Sequence, residues 1–70
     1  PAPRTSPTEL GALVRSALAL YERALAINVK ALGPDHQNVG AVLYNMASLR
    51  RVNGDFAAAK DLYDIVLNMA

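Results

Sequence analysis

The chain has 70 residues, with no cysteine, one histidine and a net charge of +1 at neutral pH. These numbers exclude a disulfide framework and a thiolate or imidazole metal cluster, and they leave little for strong binding to a phosphate backbone. A folded chain this short hides only about 60% of the surface that it exposes when unfolded. We therefore expect a marginally stable chain that is either held together by something else or cut from something larger.

The start of the chain carries no targeting pattern. Residues 1–5 contain two prolines and no large apolar side chain, which predicts a disordered lead-in rather than a signal peptide. No stretch of about 20 apolar residues without a charge follows, so no membrane span is expected. Together with the absence of cysteine, this favours an intracellular, cytoplasmic location and gives no reason to expect a membrane partner.

A first helix is predicted over about residues 7–32. Ser6 can cap it with its hydroxyl, and Pro7 suits its first position, where the missing N–H costs nothing. It should end at Gly33, which can take a left-handed conformation, because the following Pro34 cannot continue a helix. Its apolar residues recur at steps of three and four, as in an amphipathic helix. They are Leu10, Leu13, Val14, Ala17, Leu20, Tyr21, Ala24, Leu25 and Ile27.

Two further helices are predicted, over about residues 36–53 and 55–69. Asp35 is expected to cap the second helix and Asp55 the third, with an Asn-Gly pair as the stop signal between them. Connections of only a few residues make neighbouring helices antiparallel. The predicted fold class is therefore all-α, an antiparallel array of three helices.

The chain also contains an internal repeat. When it is shifted against itself by about 42 residues, the first helix matches the third as Ala-x-x-Leu-Tyr-x-x-x-Leu. A small residue and an aromatic then share one face in both helices, which is the composition of a close packing face. The matched pairs are Ala17 with Ala59, Leu20 with Leu62, Tyr21 with Tyr63 and Leu25 with Leu67.

Three short segments carry a resemblance to a known family. The second helix contains Leu-Tyr-Asn-Met-Ala at 43–47, the turn after it reads Gly-Asp-Phe at 54–56, and the preceding linker reads Leu-Gly-Pro-Asp-His at 32–36. With these segments, residues 12–70 resemble the tetratricopeptide repeat (TPR) family, in the 42-residue variety found in kinesin light chains. The sequence departs from that pattern at Ala12, Val14, Gln37 and Arg50.

The resemblance implies a fragment of a right-handed α–α superhelix, with its helices in the order B, A, B. One whole repeat would occupy about residues 38–70, preceded by the second helix of another repeat. The faces of the first and third helices that pack on further helices in such an array would then be exposed. We expect this exposure to favour a homo-oligomer or contact with flanking repeats of the same chain.

The resemblance also implies a non-catalytic protein–protein interaction module, a scaffold or adaptor that binds a peptide or protein partner in its helical groove. The partner-binding residues would be Ala41, Tyr44, Asn45, Ser48 and Arg51, which helical spacing places opposite the apolar side of the second helix. An ordinary solvated face is the competing interpretation, and a structural element that self-associates through its exposed helix faces is the alternative function. The clamp for C-terminal carboxylates is not expected, because Ser48 and Tyr44 stand where it has Asn and Lys.

No other group of residues predicts a chemical site. His36 lies in a turn without a second ligand nearby, so we assign it a structural role. Tyr21, Phe56 and Tyr63 occur at helical spacing and are expected in the core. The chain has no nucleophile with a base and no phosphate-binding loop, so we expect no enzyme, no cofactor, no metal and no nucleic-acid partner.

Overall fold

The computed structural model describes residues 6–69, so the predicted lead-in over residues 1–5 lies outside the described residues. This part of the chain forms three helices: α1 (Pro7–Leu32), α2 (Gln37–Val52) and α3 (Phe56–Asn68). α2 packs against both α1 and α3, whose backbones do not approach each other closely. The all-α, three-helix prediction is confirmed. None of the three helices combines the length and the apolar character needed to cross a bilayer.

The ends of α1 follow from its terminal residues. The Ser6 Oγ accepts a hydrogen bond from the Glu9 amide at 3.1 Å, and Pro7 is the first helical residue. At the other end the Gly33 amide donates to the Val29 carbonyl at 2.9 Å. Gly33 has φ 90° and ψ 156°, which is not the left-handed helical conformation expected from the sequence. This combination of angles is open almost only to glycine.

The cap of α2 differs from the sequence prediction. The Nδ1 atom of His36, rather than the Asp35 carboxylate, accepts a hydrogen bond from the Asn38 amide at 3.1 Å. α2 begins at Gln37, one residue later than predicted, and this shift moves the capping position from Asp35 to His36. The structural role assigned to His36 is therefore that of a helix cap.

Replacing His36 with alanine is expected to lower the free energy of unfolding by about 1 kcal/mol, because the Asn38 amide loses its acceptor. Urea denaturation of the whole chain measures this change. Asp35→Ala is the matched control and should change stability by less than about 0.5 kcal/mol. If Asp35→Ala lowered the free energy of unfolding more than His36→Ala, Asp35 would be the cap of α2, as the sequence predicted.

The turn between α2 and α3 is closed by glycine and by a small polar network. Gly54 has φ 84°, and the Asp55 amide donates to the Arg50 carbonyl at 2.8 Å. Asp55 occupies the capping position of α3, but its side chain makes no capping hydrogen bond. Its Oδ2 atom instead accepts from Asn53 at 3.4 Å and from Arg50 at 3.5 Å. The Asp55 carboxylate therefore ties the turn to α2 rather than capping α3.

The core lies on both sides of α2. Tyr21 is half-buried and packs against the buried cluster, and Tyr63 is also half-buried. The prediction was wrong for Phe56, which is 68% exposed. The helical period places Phe56 to one side of the α3 face that packs on α2. The buried residues are Val14, Leu18, Val39, Leu43, Met46, Ala47 and Ala59.

Candidate functional site

The five residues predicted to bind a partner lie along α2, and most of them are open to solvent. Ala41, Tyr44, Asn45 and Arg51 are exposed, whereas Ser48 is half-buried. They lie away from the side of α2 that carries the buried apolar residues Val39, Leu43, Met46 and Ala47. We refer to the five predicted residues below as the α2 surface.

Ser48 and Tyr44 are held by α3. The Ser48 hydroxyl lies 3.2 Å from the Tyr44 carbonyl, to which it donates, and 3.2 Å from the Tyr63 hydroxyl. The rings of Tyr44 and Tyr63 meet edge to face, with centroids 5.4 Å apart and planes at 64°. This geometry is favourable for aromatic pairs. Tyr44 therefore presents a ring whose orientation is fixed by the neighbouring helix.

An open pocket of about 380 Å³ lies between the first half of α2 and the end of α3. Gly40 leaves room beside the Met69 side chain, because a Cβ atom at Gly40 would lie 3.6 Å from Met69 Cε. The pocket combines small and apolar groups with a carboxylate, an amide and a tyrosine, which is typical of a site for one apolar side chain with polar neighbours. It is lined by Asp35, Gln37, Gly40, Ala41, Tyr44, Val66 and Met69.

Residues of opposite charge lie at the two ends of α2. Asp35 lines the pocket just before α2 begins. Arg51 lies near the other end of the helix and is exposed, and no ion pair involves it within residues 6–69. Arg50, in contrast, is half-buried and pairs with Asp55 at 3.5 Å. Gln37 and Arg51 are 14 positions apart in this helix, a distance of about 20 Å along the axis.

Sequence reasoning missed the part of the pocket that does not belong to the α2 surface. Val66 comes from α3, where helical spacing marked it only as a packing residue, and Met69 directly follows α3. One signal was available: Gly40 is a glycine within a helix, where it costs roughly 1 kcal/mol relative to alanine. Such a glycine indicates a place where another group approaches the helix closely, and here that group is Met69.

The described residues contain few other features of chemical interest. Within residues 6–69, no three histidine, cysteine or carboxylate side chains come together as a metal site would require. The hydrogen bond that Lys60 donates to Asp64 at 2.8 Å, together with the charge of Asp64, raises the pKa of Lys60. This pair is exposed on α3 and contributes nothing to the pocket.

Comparison with known families decides which family this helical array represents. The family model of the tetratricopeptide repeat matches residues 14–70. The chain belongs to the tetratricopeptide repeat family. Searches of curated proteins and of solved structures returned no match to it. The kinesin-light-chain-like variety stays a prediction.

Membership in the TPR family gives the three helices their roles. α1 corresponds to helix B of one repeat, and α2 and α3 correspond to helices A and B of the next. TPR segments are in general protein–protein interaction modules, and they are typically non-catalytic scaffolds. The α2 surface then lies on the helix A of this TPR segment.

Proposed function

We propose that this TPR segment is a non-catalytic scaffold or adaptor module that binds an extended peptide along the α2 surface. One observation carries the proposal: Ala41 and Tyr44, two of the five residues that the family resemblance implied, line a pocket together with Val66 of α3 and with Met69, which follows α3. Two of the five residues of the α2 surface therefore border an open pocket with apolar walls, whereas Asn45, Ser48 and Arg51 do not line it. Such a cavity can take an anchoring side chain.

The charges and amides around the pocket suggest what kind of peptide would bind. An aliphatic side chain of moderate size suits the walls, and a basic residue beside it would pair with Asp35. Asn45 offers both a donor and an acceptor to the peptide backbone. Arg51 would pair with an acidic residue about six positions away, because an extended chain advances about 3.3 Å per residue over roughly 20 Å.

The cellular setting belongs to the same proposal. A cysteine-free chain suits the reducing cytoplasm, where such a module would bring two proteins together. A structural role through self-association is the second candidate function. It is supported by the large apolar residues that α1 exposes, among them Leu13, Leu20 and Ile27.

Filling the pocket is expected to remove peptide binding. The 70-residue chain is used to select binders from a phage-displayed library of short linear peptides, and the selected peptides are measured by isothermal titration calorimetry. Ala41→Arg should weaken their binding by at least about tenfold, because the new side chain occupies the pocket and places a cation beside the basic residue of the peptide. Circular dichroism checks that the variant is still helical.

Ala26→Arg provides the matched control, because Ala26 is an exposed alanine on α1 that takes no part in the pocket. It should bind the selected peptides as the parent chain does. Equal losses in the two variants would place the binding site elsewhere. A library without enriched peptides would argue against a peptide-binding function altogether.

A further inference from the structure

α1 carries a second apolar face besides the one that packs on α2. The residues of this face follow one another at alternating steps of three and four over three heptads, which is the spacing of a coiled-coil seam. Leu13, Leu20 and Ile27 are 61%, 64% and 66% exposed, and no charged residue interrupts the series. We call this face the α1 stripe: Leu10, Leu13, Ala17, Leu20, Ala24, Ile27 and Ala31.

The internal repeat indicates that the α1 stripe is a face built for helix packing. Its residues Ala17, Leu20 and Ala24 correspond, 42 positions later, to three residues of α3 that pack toward α2. Ala59 of α3 is buried, and Leu62 and Val66 pack against the core. In α1, Leu20 is 64% exposed, and Ala17 and Ala24 are only half-buried.

α3 exposes apolar residues too, but its open face is less suited to docking. Phe56 and Leu67 are 68% and 71% exposed, and Lys60 lies between them in the series. Lys60 is held by Asp64 at 2.8 Å, so an apolar partner on this face would have to cover an ion pair. The corresponding residue of α1 is the buried Leu18. The α1 stripe is therefore the stronger candidate for an apolar partner.

We infer that the α1 stripe binds the α1 stripe of a second copy of this chain, with the two helices antiparallel. In one antiparallel register two of the small residues face large ones: Ala17 lies opposite Leu20 of the partner subunit, and Ala24 lies opposite Leu13 of the partner subunit. Such alternation lets two helices approach closely while the larger side chains fill the gaps. A spacing of 3.5 residues gives the pair a left-handed crossing of about 20°.

The charges beside the α1 stripe select the same register. Glu9, Ser16, Arg23 and Lys30 follow the stripe at steps of seven on its solvent side. In the antiparallel register Glu9 meets Lys30 of the partner subunit at both ends of the pair, and Ser16 meets Arg23 of the partner subunit. A parallel pair would place both copies of Glu9 at one end and both copies of Lys30 at the other, so neither attractive pair could form. This inference rests on the second candidate function, self-association through α1, and it is independent of peptide binding, which uses another face of the molecule.

Sedimentation equilibrium of the 70-residue chain over a range of concentrations tests the dimer. The parent chain should dimerise reversibly, and Leu20→Asp should weaken the dimer by at least about 100-fold, because each interface would then bury two carboxylates among apolar residues. Leu67→Asp is the matched control on α3 and should leave the dimer unchanged. The inference would be overturned if the parent chain were monomeric at every concentration, or if the two substitutions had equal effects. The α1 stripe would then pack on a helix that is not the α1 of a second copy.

Charge exchange tests the antiparallel register and does not depend on the core of the interface. Glu9→Lys and Lys30→Glu should each weaken the dimer by about tenfold, because two attractive pairs become repulsive. The double variant Glu9→Lys with Lys30→Glu should regain the parent affinity. Single variants that dimerise as the parent chain does would contradict the antiparallel register. Circular dichroism identifies any variant that loses its helices.

Discussion

Replacing Leu43 with alanine is expected to lower the free energy of unfolding by about 2–5 kcal/mol. Leu43 is only 8% exposed and belongs to the cluster formed by Val14, Leu18, Val39 and Met46. It lies on α2, which both other helices contact, so the cavity left by its side chain would open in the middle of the molecule. A chain of this length has a total stability of about 4–10 kcal/mol. The substitution therefore removes a large part of what holds the helices together.

Urea denaturation followed by circular dichroism measures the loss at Leu43. Leu67→Ala makes the same chemical change at a position that is 71% exposed, and it should cost less than about 0.5 kcal/mol. The difference between the two leucines isolates the effect of burial. Similar costs at both positions would mean that the α1–α2 packing described above does not hold the chain together.

Gly33→Ala is expected to destabilise the chain by about 1–3 kcal/mol. The cause is the backbone rather than lack of space, because a Cβ atom at Gly33 would meet no other atom within 4 Å. With φ 90° and ψ 156° this residue lies in a region that side chains with a Cβ atom rarely enter. The strain would act on the connection between α1 and α2, which sets the direction of α2 relative to α1.

The matched substitution for Gly33 is Gly11→Ala, within α1. There the added Cβ atom would be in ordinary van der Waals contact with the Arg15 side chain at 3.5 Å. Alanine also has a higher helix propensity than glycine. Gly11→Ala should therefore raise the free energy of unfolding by about 0.5–1 kcal/mol. The same change then has opposite signs at the two glycines. A stabilising Gly33→Ala would show that the connection adopts another conformation in solution.

Much of the fold follows from local signals in the sequence. The hydroxyl of Ser6 before Pro7 begins α1, and Gly33 before Pro34 ends it. The caps of α2 and α3 were less predictable, because Asp35 and His36 are adjacent acceptors and a shift of one residue in the helix start decides between them. Asp55 likewise has a suitable side chain, but its carboxylate is held by the preceding turn. Such competition between neighbouring hydrogen bonds is not visible in a sequence.

The candidate site could be predicted only in part. Helical spacing located the residues of α2 that face away from the core, but it could not place Val66 and Met69 beside them. That juxtaposition depends on how α3 rotates about its axis when it packs on α2. The same rotation leaves Phe56 in solvent and brings the Tyr63 hydroxyl to Ser48. An aromatic at helical spacing in one helix therefore does not reveal which side of a second helix it will meet.

The central place of α2, against which α1 and α3 both pack while their own backbones stay apart, has a consequence for the dynamics of residues 6–69. Each outer helix can detach while the other keeps its packing on α2, whereas α2 cannot open unless both packing layers are lost. Amide hydrogens of α2 should therefore exchange with solvent most slowly, and those near the outer ends of α1 and α3 most rapidly. Energetic coupling between the outer helices must pass through α2, as in a chain of nearest neighbours. A protein bound to one outer helix would slow amide exchange in the other only as far as it also restrains α2.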